Sequence, residues 1–150
     1  MTPSADDIRR ARIPHNLFML NLALFHLLMT PAAIAMEIGL MGMLFPLLLS
    51  LLTIAYTYRH AESIQTTETH FVYSHWQLAV KRYRLLLISY AITAGLLVVG
   101  WLIALASPDP NMQDILQTVF IRIAVMPVVI IVMVAFYLES SAYSNAGKGR

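Results

Sequence analysis

The sequence lacks cysteine altogether and has little charge. Only 12% of its 150 residues are charged and 59% are hydrophobic, whereas soluble proteins have about 25% charged and 45–50% apolar residues. The absence of cysteine excludes disulfides, thiolate metal sites, iron–sulfur clusters and cysteine nucleophiles. The formal net charge is only +2, and the few charges lie between apolar runs, so no nucleic-acid partner is predicted.

Four apolar runs are each long enough to cross a bilayer as a helix, which takes roughly 20 residues for a hydrocarbon core about 30 Å thick. They cover residues 17–35, 38–58, 85–106 and 115–138. None alternates in the way that a β-barrel strand does. The sequence therefore predicts an all-α, integral membrane four-helix bundle that forms a single domain.

Lysine and arginine in the short connections predict the orientation of these spans, because cationic loops stay on the cytoplasmic side. The N-terminal tail, the loop 59–84 and the C-terminal tail all carry them, whereas the first and third connections carry none. Both chain ends are therefore predicted to lie in the cytoplasm. Short connections also pair spans one and two, and spans three and four, as antiparallel hairpins.

Three further segments have local patterns. In the cytoplasmic loop 59–84, Ile64, Phe71 and Leu78 recur every seven residues, which predicts an amphipathic helix that either lies at the membrane interface or prolongs the third span. Ser4 to Asp7 has capping-box spacing and predicts a short surface helix. The polar tail 140–150 is expected to fray.

His26 lies in the middle of the first span, with Asn21 and Thr30 nearby. Ionisable groups inside membranes are rare, which suggests a haem ligand or a proton relay. A bis-histidine haem needs a second imidazole within a span, and the other four histidines lie in predicted cytoplasmic segments. The simpler interpretation is a hydrogen bond from His26 to a neighbouring helix. No cofactor is predicted.

Arg122 is the one formal charge well inside a predicted span, about 10 Å along the helix from Ile115. Glu37, in the first connection, is predicted at the same membrane surface. The favoured interpretation is that Arg122 either snorkels outward or pairs with Glu37. A role in holding an anionic substrate or a quinone is the alternative.

The loop 59–84 also contains a dense group of histidines and glutamates. His70 and His75 are five residues apart, whereas a two-histidine metal site on a helix uses residues four apart. No metal site is predicted there, and no catalytic residue is predicted anywhere, since the spans contain no paired carboxylates, paired histidines or nucleophile beside a base.

The stretch from Ser74 to Tyr83 resembles a signature of uncharacterised four-span bacterial membrane proteins, which are distantly related to the four-helix import component of the chloroplast inner envelope. The matching positions are Ser74, His75, Trp76, Val80, Lys81 and Tyr83, after a preceding Tyr58-Arg59. Gln77, Leu78 and Ala79 depart from the usual Arg-Trp-Gln run, and Arg84 replaces a second aromatic residue. The resemblance implies a fold and a bacterial inner-membrane location, and no activity.

These observations predict a non-enzymatic accessory or assembly factor, or a small subunit of a larger membrane complex. Trp76, Lys81, Arg82 and Arg84 are the expected docking surface for a partner or an anionic lipid. One alternative is an oligomeric channel or carrier whose path is lined by Asn21, His26, Thr30 and Arg122. The other is a haem- or quinone-associated electron-transfer subunit that uses His26.

Overall fold

The computed structural model describes residues 3–36 and 38–149 of the chain, and this part is helical with no β-strand. The all-α prediction is confirmed. The elements are α1 (Ala5–Leu20), a π-helix (Asn21–Met29), α2 (Thr30–Ala35), α3 (Gly39–Ser63), α4 (His70–Leu105) and α5 (Pro110–Gly147).

Three helical stretches in the described residues are long and apolar enough to cross a membrane. They are Ala5–Ala33, His70–Leu105 and Pro110–Gly147, and they correspond to the first, third and fourth predicted spans. The second predicted span falls in α3, which is not one of the three. The chain is thus compatible with a multi-pass membrane protein, while four spans, a four-helix bundle and the orientation remain predictions.

The helices continue well beyond the apolar runs. The third run was predicted to begin at residue 85, but α4 begins at His70 and continues without interruption to Leu105. Residues 70–84 of the amphipathic segment are therefore the first part of α4, which agrees with the predicted alternative that this segment prolongs the third apolar run. Backbone hydrogen bonds do not depend on hydropathy, so a helix can continue into polar sequence where nothing breaks it.

The N-terminal end of the described chain agrees with the sequence prediction, whereas the C-terminal end does not. The Ser4 hydroxyl caps the Asp7 backbone N–H while the Asp7 carboxylate accepts from the Ser4 N–H, so the predicted capping box is confirmed. The prediction that the tail frays is wrong, because α5 continues to Gly147. Its last turns are held by packing, with the Arg12 guanidinium 3.9 Å above the ring centre of Tyr143.

The first apolar run contains nine residues of π-helix, Asn21–Met29, between α1 and α2. Pro31 lies two residues after its end and has no backbone N–H to donate to the carbonyl four residues earlier, that of Leu27. Before it, the Phe25 carbonyl accepts from the Thr30 backbone N–H, five residues on, and from the Thr30 hydroxyl at 2.7 Å. This five-residue hydrogen bond belongs to the π-helical pattern, and both π-helical turns and prolines are usual sites of helix irregularity.

The chain divides into two compact units. Unit 1 contains the residues up to Tyr83 together with the end of the chain from Ala135. It has an apolar cluster of Ala61, Ile64, Val72, Trp76 and Val80, which comes from the end of α3, the turn after it and the start of α4. This cluster fixes the first part of α4, which carries the candidate site.

Unit 2 extends from Arg84 to Val134 and consists of the remainder of α4 and the first part of α5. Its helices approach closely at Gly100, where an added Cβ would overlap the Phe120 side chain. Nearby, the Thr93 hydroxyl donates to the Ala124 carbonyl at 2.7 Å. Only one stripe of each helix is buried by this packing, and the other apolar side chains are exposed.

Candidate functional site

A buried polar cluster joins α1, α4 and α5 within unit 1. The Glu139 side chain is fully buried, and its Oε2 lies 2.5 Å from Nδ1 of His15, which is also fully buried. Its Oε1 lies 3.0 Å from a guanidinium nitrogen of Arg82, whose side chain is 13% exposed. On its other side, Nε2 of His15 lies 2.9 Å from Nδ1 of His75. We call these four residues the polar cluster.

The contacts of the polar cluster pair its hydrogen-bond donors with acceptors. An ionised carboxylate only accepts hydrogen bonds, so Nδ1 of His15 carries a proton and donates it to Glu139. One proton then lies between His15 and His75, since two ring nitrogens 2.9 Å apart need one donor and one acceptor. Glu139 and Arg82 carry opposite formal charges, and this pairing makes a buried carboxylate tolerable.

Helical spacing places the two α4 members of the polar cluster on the same side. His75 and Arg82 are seven residues apart, or about two turns, so both lie on the α4 face toward α5. Glu139 directly follows the fourth apolar run in the sequence. It is the residue of α5 that contacts His15 and Arg82. Trp76 lies next to His75 but points into the apolar cluster, because neighbouring helical residues face different directions.

A cleft of about 610 Å³ opens between α4 and α5 next to the polar cluster. Both His75 and Arg82 belong to its wall, and so does Lys81. The remaining lining residues are mainly polar or aromatic, namely His70, Tyr73, Ser74, Gln77, Leu78, Tyr137, Leu138, Ser141, Ala142 and Asn145. None of the lining residues in the described part of the chain is acidic, so this cleft favours an anionic ligand.

The predicted docking residues divide into two groups. Lys81 and Arg84 are exposed, as a docking surface requires. Trp76 is only 3% exposed and lies in the apolar cluster, while Arg82 is held inward by Glu139. The docking role of these four residues stays a prediction, but Trp76 and Arg82 do not share the exposed surface of Lys81 and Arg84, because the apolar cluster and a buried carboxylate hold them inward.

The polar residues predicted inside the first span contact α3. Nε2 of His26 lies 3.3 Å from the Ser50 hydroxyl, and the Asn21 amide donates to the Ser50 carbonyl at 3.3 Å. This is the hydrogen bond to a neighbouring helix that the sequence analysis gives as the simpler interpretation for His26. Thr30 bonds the Phe25 carbonyl of its own helical segment.

Arg122 lies on the exposed side of α5 in unit 2, and it has no ion pair among residues 3–36 and 38–149. The exposed residues one turn away are Thr118, Val119, Val125 and Met126, so Arg122 is a cation on an otherwise largely apolar face. The predicted partner Glu37 lies outside the described residues.

The histidines and glutamates of the former loop are separated by the fold. Arg10 binds both carboxylate oxygens of Glu68 at 2.8 Å, His75 joins the polar cluster, and His60 packs its ring against Trp76. No group of three or more histidine, aspartate or glutamate residues in the described chain is arranged to hold a metal ion.

Sequence reasoning missed Glu139 and His15. The available signal was that Glu139 is the one acidic residue after Asp114 and directly follows an apolar run. Nothing in the sequence indicates that its partners lie 57 and 124 residues away, since no residue spacing connects different helices.

Comparison with protein-family models, with curated proteins and with solved structures finds no match to this chain.

Proposed function

We propose that this protein is a small, non-enzymatic, four-span subunit or accessory factor of a larger membrane complex, with both ends in the cytoplasm. We also propose that the chain is related to the four-span bacterial membrane proteins that the stretch from Ser74 to Tyr83 resembles. This relationship implies a location in the bacterial inner membrane. It is supported by three long apolar helices and by the charge distribution between the apolar runs. The observation that carries the assembly role is the environment of Arg122.

Arg122 needs a counter-charge if the exposed face of α5 lies within a membrane. An arginine at the centre of a membrane helix costs about 2.5–3.5 kcal/mol on insertion scales. Its exposed neighbours on the helix offer one hydroxyl, from Thr118, and no carboxylate. A carboxylate on a neighbouring membrane helix would offset that cost and would fix the register of the two helices.

The partner is proposed to be a different protein. Apart from Glu37, the acidic residues nearest to the predicted spans are Asp109, Asp114 and Glu139. The first two belong to the turn and the first turns of α5, and Glu139 is buried with Arg82 and His15. Apart from Glu37, which the Glu37→Gln variant below tests, a second copy brings no carboxylate to the depth of Arg122, whereas a partner span with one aspartate or glutamate would.

The test is co-purification in mild detergent from native cells, followed by mass spectrometry. An Arg122→Gln variant is expected to lose its membrane-protein partner by about tenfold or more, and Arg122→Lys to retain most of it. Arg59→Gln is the matched control, because Arg59 is an exposed arginine of α3 outside the expected docking surface.

Two results would overturn the assembly role. Equal recovery of every co-purifying protein from the unaltered chain and from the Arg122→Gln variant would mean that Arg122 only snorkels toward lipid head groups. If Glu37→Gln reproduces the loss seen for Arg122→Gln, the counter-charge belongs to this chain and not to a partner.

A further inference from the structure

The cleft of unit 1 carries more positive charge than its surroundings neutralise. Glu139 compensates Arg82 from below. Lys81 also lines the cleft, is exposed, and has no ion pair within the described residues. Since none of the lining residues is acidic, Lys81 is a cation without a counter-ion in a concave site, and concave sites concentrate the field of such a charge.

The opposite wall of the cleft offers neutral hydrogen-bond donors. Ser141 and Asn145 both line it from α5. They are four residues apart and therefore lie on one face of that helix, one turn above the other. A lysine ammonium facing a hydroxyl and an amide is a donor set suited to phosphate oxygens.

The position of the cleft favours a phosphate that belongs to a lipid. Tyr137 lies one turn before Ser141, lines the same cleft and is 74% exposed. It stands at the end of the fourth apolar run, where tyrosines mark the boundary between hydrocarbon and water. A head group in the cleft would have its acyl chains beside the exposed apolar residues of α5.

We infer that the cleft between α4 and α5 binds the phosphate of an anionic membrane lipid, with Lys81 as the principal cation and Ser141 and Asn145 as donors. A volume of about 610 Å³ lies in the range of small-molecule sites. Basic pockets between membrane helices on the cytoplasmic side are suited to such head groups. The inference rests on the proposed membrane location and topology, and not on a partner for Arg122.

The polar cluster prepares this site. His75 and Arg82 form part of the cleft wall, and the contacts of His15 and Glu139 hold them in place from below. Arg82 is thus a positioning residue, because Glu139 largely neutralises its charge. Lys81 carries the binding, and its exposure means that it can be replaced without disturbing the fold.

The experiment uses the full-length protein in nanodiscs of phosphatidylcholine doped with phosphatidylglycerol. Native mass spectrometry then counts the phosphatidylglycerol that each protein molecule retains. Lys81→Gln is expected to weaken this retention about fivefold, from about 1 kcal/mol for one lysine near a membrane surface. Lys81→Arg is expected to preserve it, and Arg59→Gln, an exposed cation of α3 that does not line the cleft, to leave it unchanged.

Unchanged retention by Lys81→Gln would overturn the inference. An equal loss with Arg59→Gln would also overturn it, because the effect would then be general surface charge. Binding of inorganic phosphate that depends on Lys81, together with no retention of phosphatidylglycerol, would assign the site to a soluble phosphate and reject a lipid. Co-purification of a partner through Arg122 is measured separately, so that failure of either proposal leaves the other open to its own test.

Discussion

The two compact units of the chain treat their charged residues in opposite ways. Unit 1 buries a carboxylate, an arginine and two histidines in contact with one another. Unit 2 buries no charged residue. Arg122, the one arginine of the fourth apolar run, is exposed on an apolar face of this unit. A buried charge must bring its partner from the same chain, whereas an exposed charge on a membrane helix can take its partner from outside.

The same contrast appears in how the helices are held together. Unit 1 joins three helices through side-chain polar groups whose geometry is specific. Unit 2 joins two helices by close packing at Gly100 and by one hydroxyl bond at Thr93. Small residues at helix contacts are the usual device in membranes, where lipid and helix are equally apolar. Unit 1 should therefore be sensitive to charge, and unit 2 to volume.

The largest effect is expected from Glu139→Gln in unit 1. The substitution keeps the shape of the side chain but leaves the mostly buried Arg82 without its counter-charge, at a cost of about 3–5 kcal/mol in the free energy of unfolding. Denaturant titration of the protein in detergent micelles measures it. Asp114→Asn is the control in unit 2, where an exposed carboxylate should change stability by no more than about 0.5 kcal/mol.

A double variant sharpens this prediction. Arg82→Gln combined with Glu139→Gln removes both charges, so the loss should be smaller than the sum of the two single losses. Simple additivity would contradict an energetic coupling between these side chains. Equal effects of Glu139→Gln and Asp114→Asn would remove the contrast between the units.

A smaller effect is expected from Gly100→Ala in unit 2. The new methyl group would overlap the Phe120 side chain, and forcing the helices apart costs about 1–3 kcal/mol. Gly95→Ala is the matched control, since nothing lies within 4 Å of the place that its methyl group would occupy. It should be neutral or stabilise α4 by about 0.5–1 kcal/mol. Thermal unfolding in micelles compares them, and an equal loss for both glycines would argue against close packing at Gly100.

The smallest effect is expected from Thr93→Val. It removes the hydroxyl that donates to the Ala124 carbonyl, and such interhelical bonds in membrane proteins average about 0.6 kcal/mol. Thr118→Val, at an exposed position of α5, provides the control for the same chemical change. The difference between the two variants in a reversible unfolding assay isolates the hydrogen bond, and no difference would show that Thr93 contributes nothing to pairing.

The sequence predicts the helical parts of this structure well where a single local pattern decides them. The apolar runs predict the helix class, and Ser4 with Asp7 predicts the first cap, because both depend on residues a few positions apart. Helix ends are predicted less well. Residues 70–84 and 139–147 extend α4 and α5 beyond the apolar runs, since contacts with other helices and not hydropathy stabilise those turns.

The sequence analysis identified only some of the residues of the candidate site. Lys81 and Arg82 were recognised as cations at the start of the third apolar run, yet the two have different roles in the structure. Lys81 lines an open cleft, and Arg82 turns toward Glu139. Hydropathy and charge patterns give the type of each residue, but not which of two adjacent side chains faces a distant helix.

By itself the sequence determined that the chain is helical, poor in charge and free of cysteine chemistry, because composition and periodicity act locally along the chain. Only the tertiary structure brought His15, His75, Arg82 and Glu139 together. Their contacts join helices that are far apart in sequence. A buried charge is tolerated only where the folded chain supplies its partner, and that partner is chosen by packing and not by spacing.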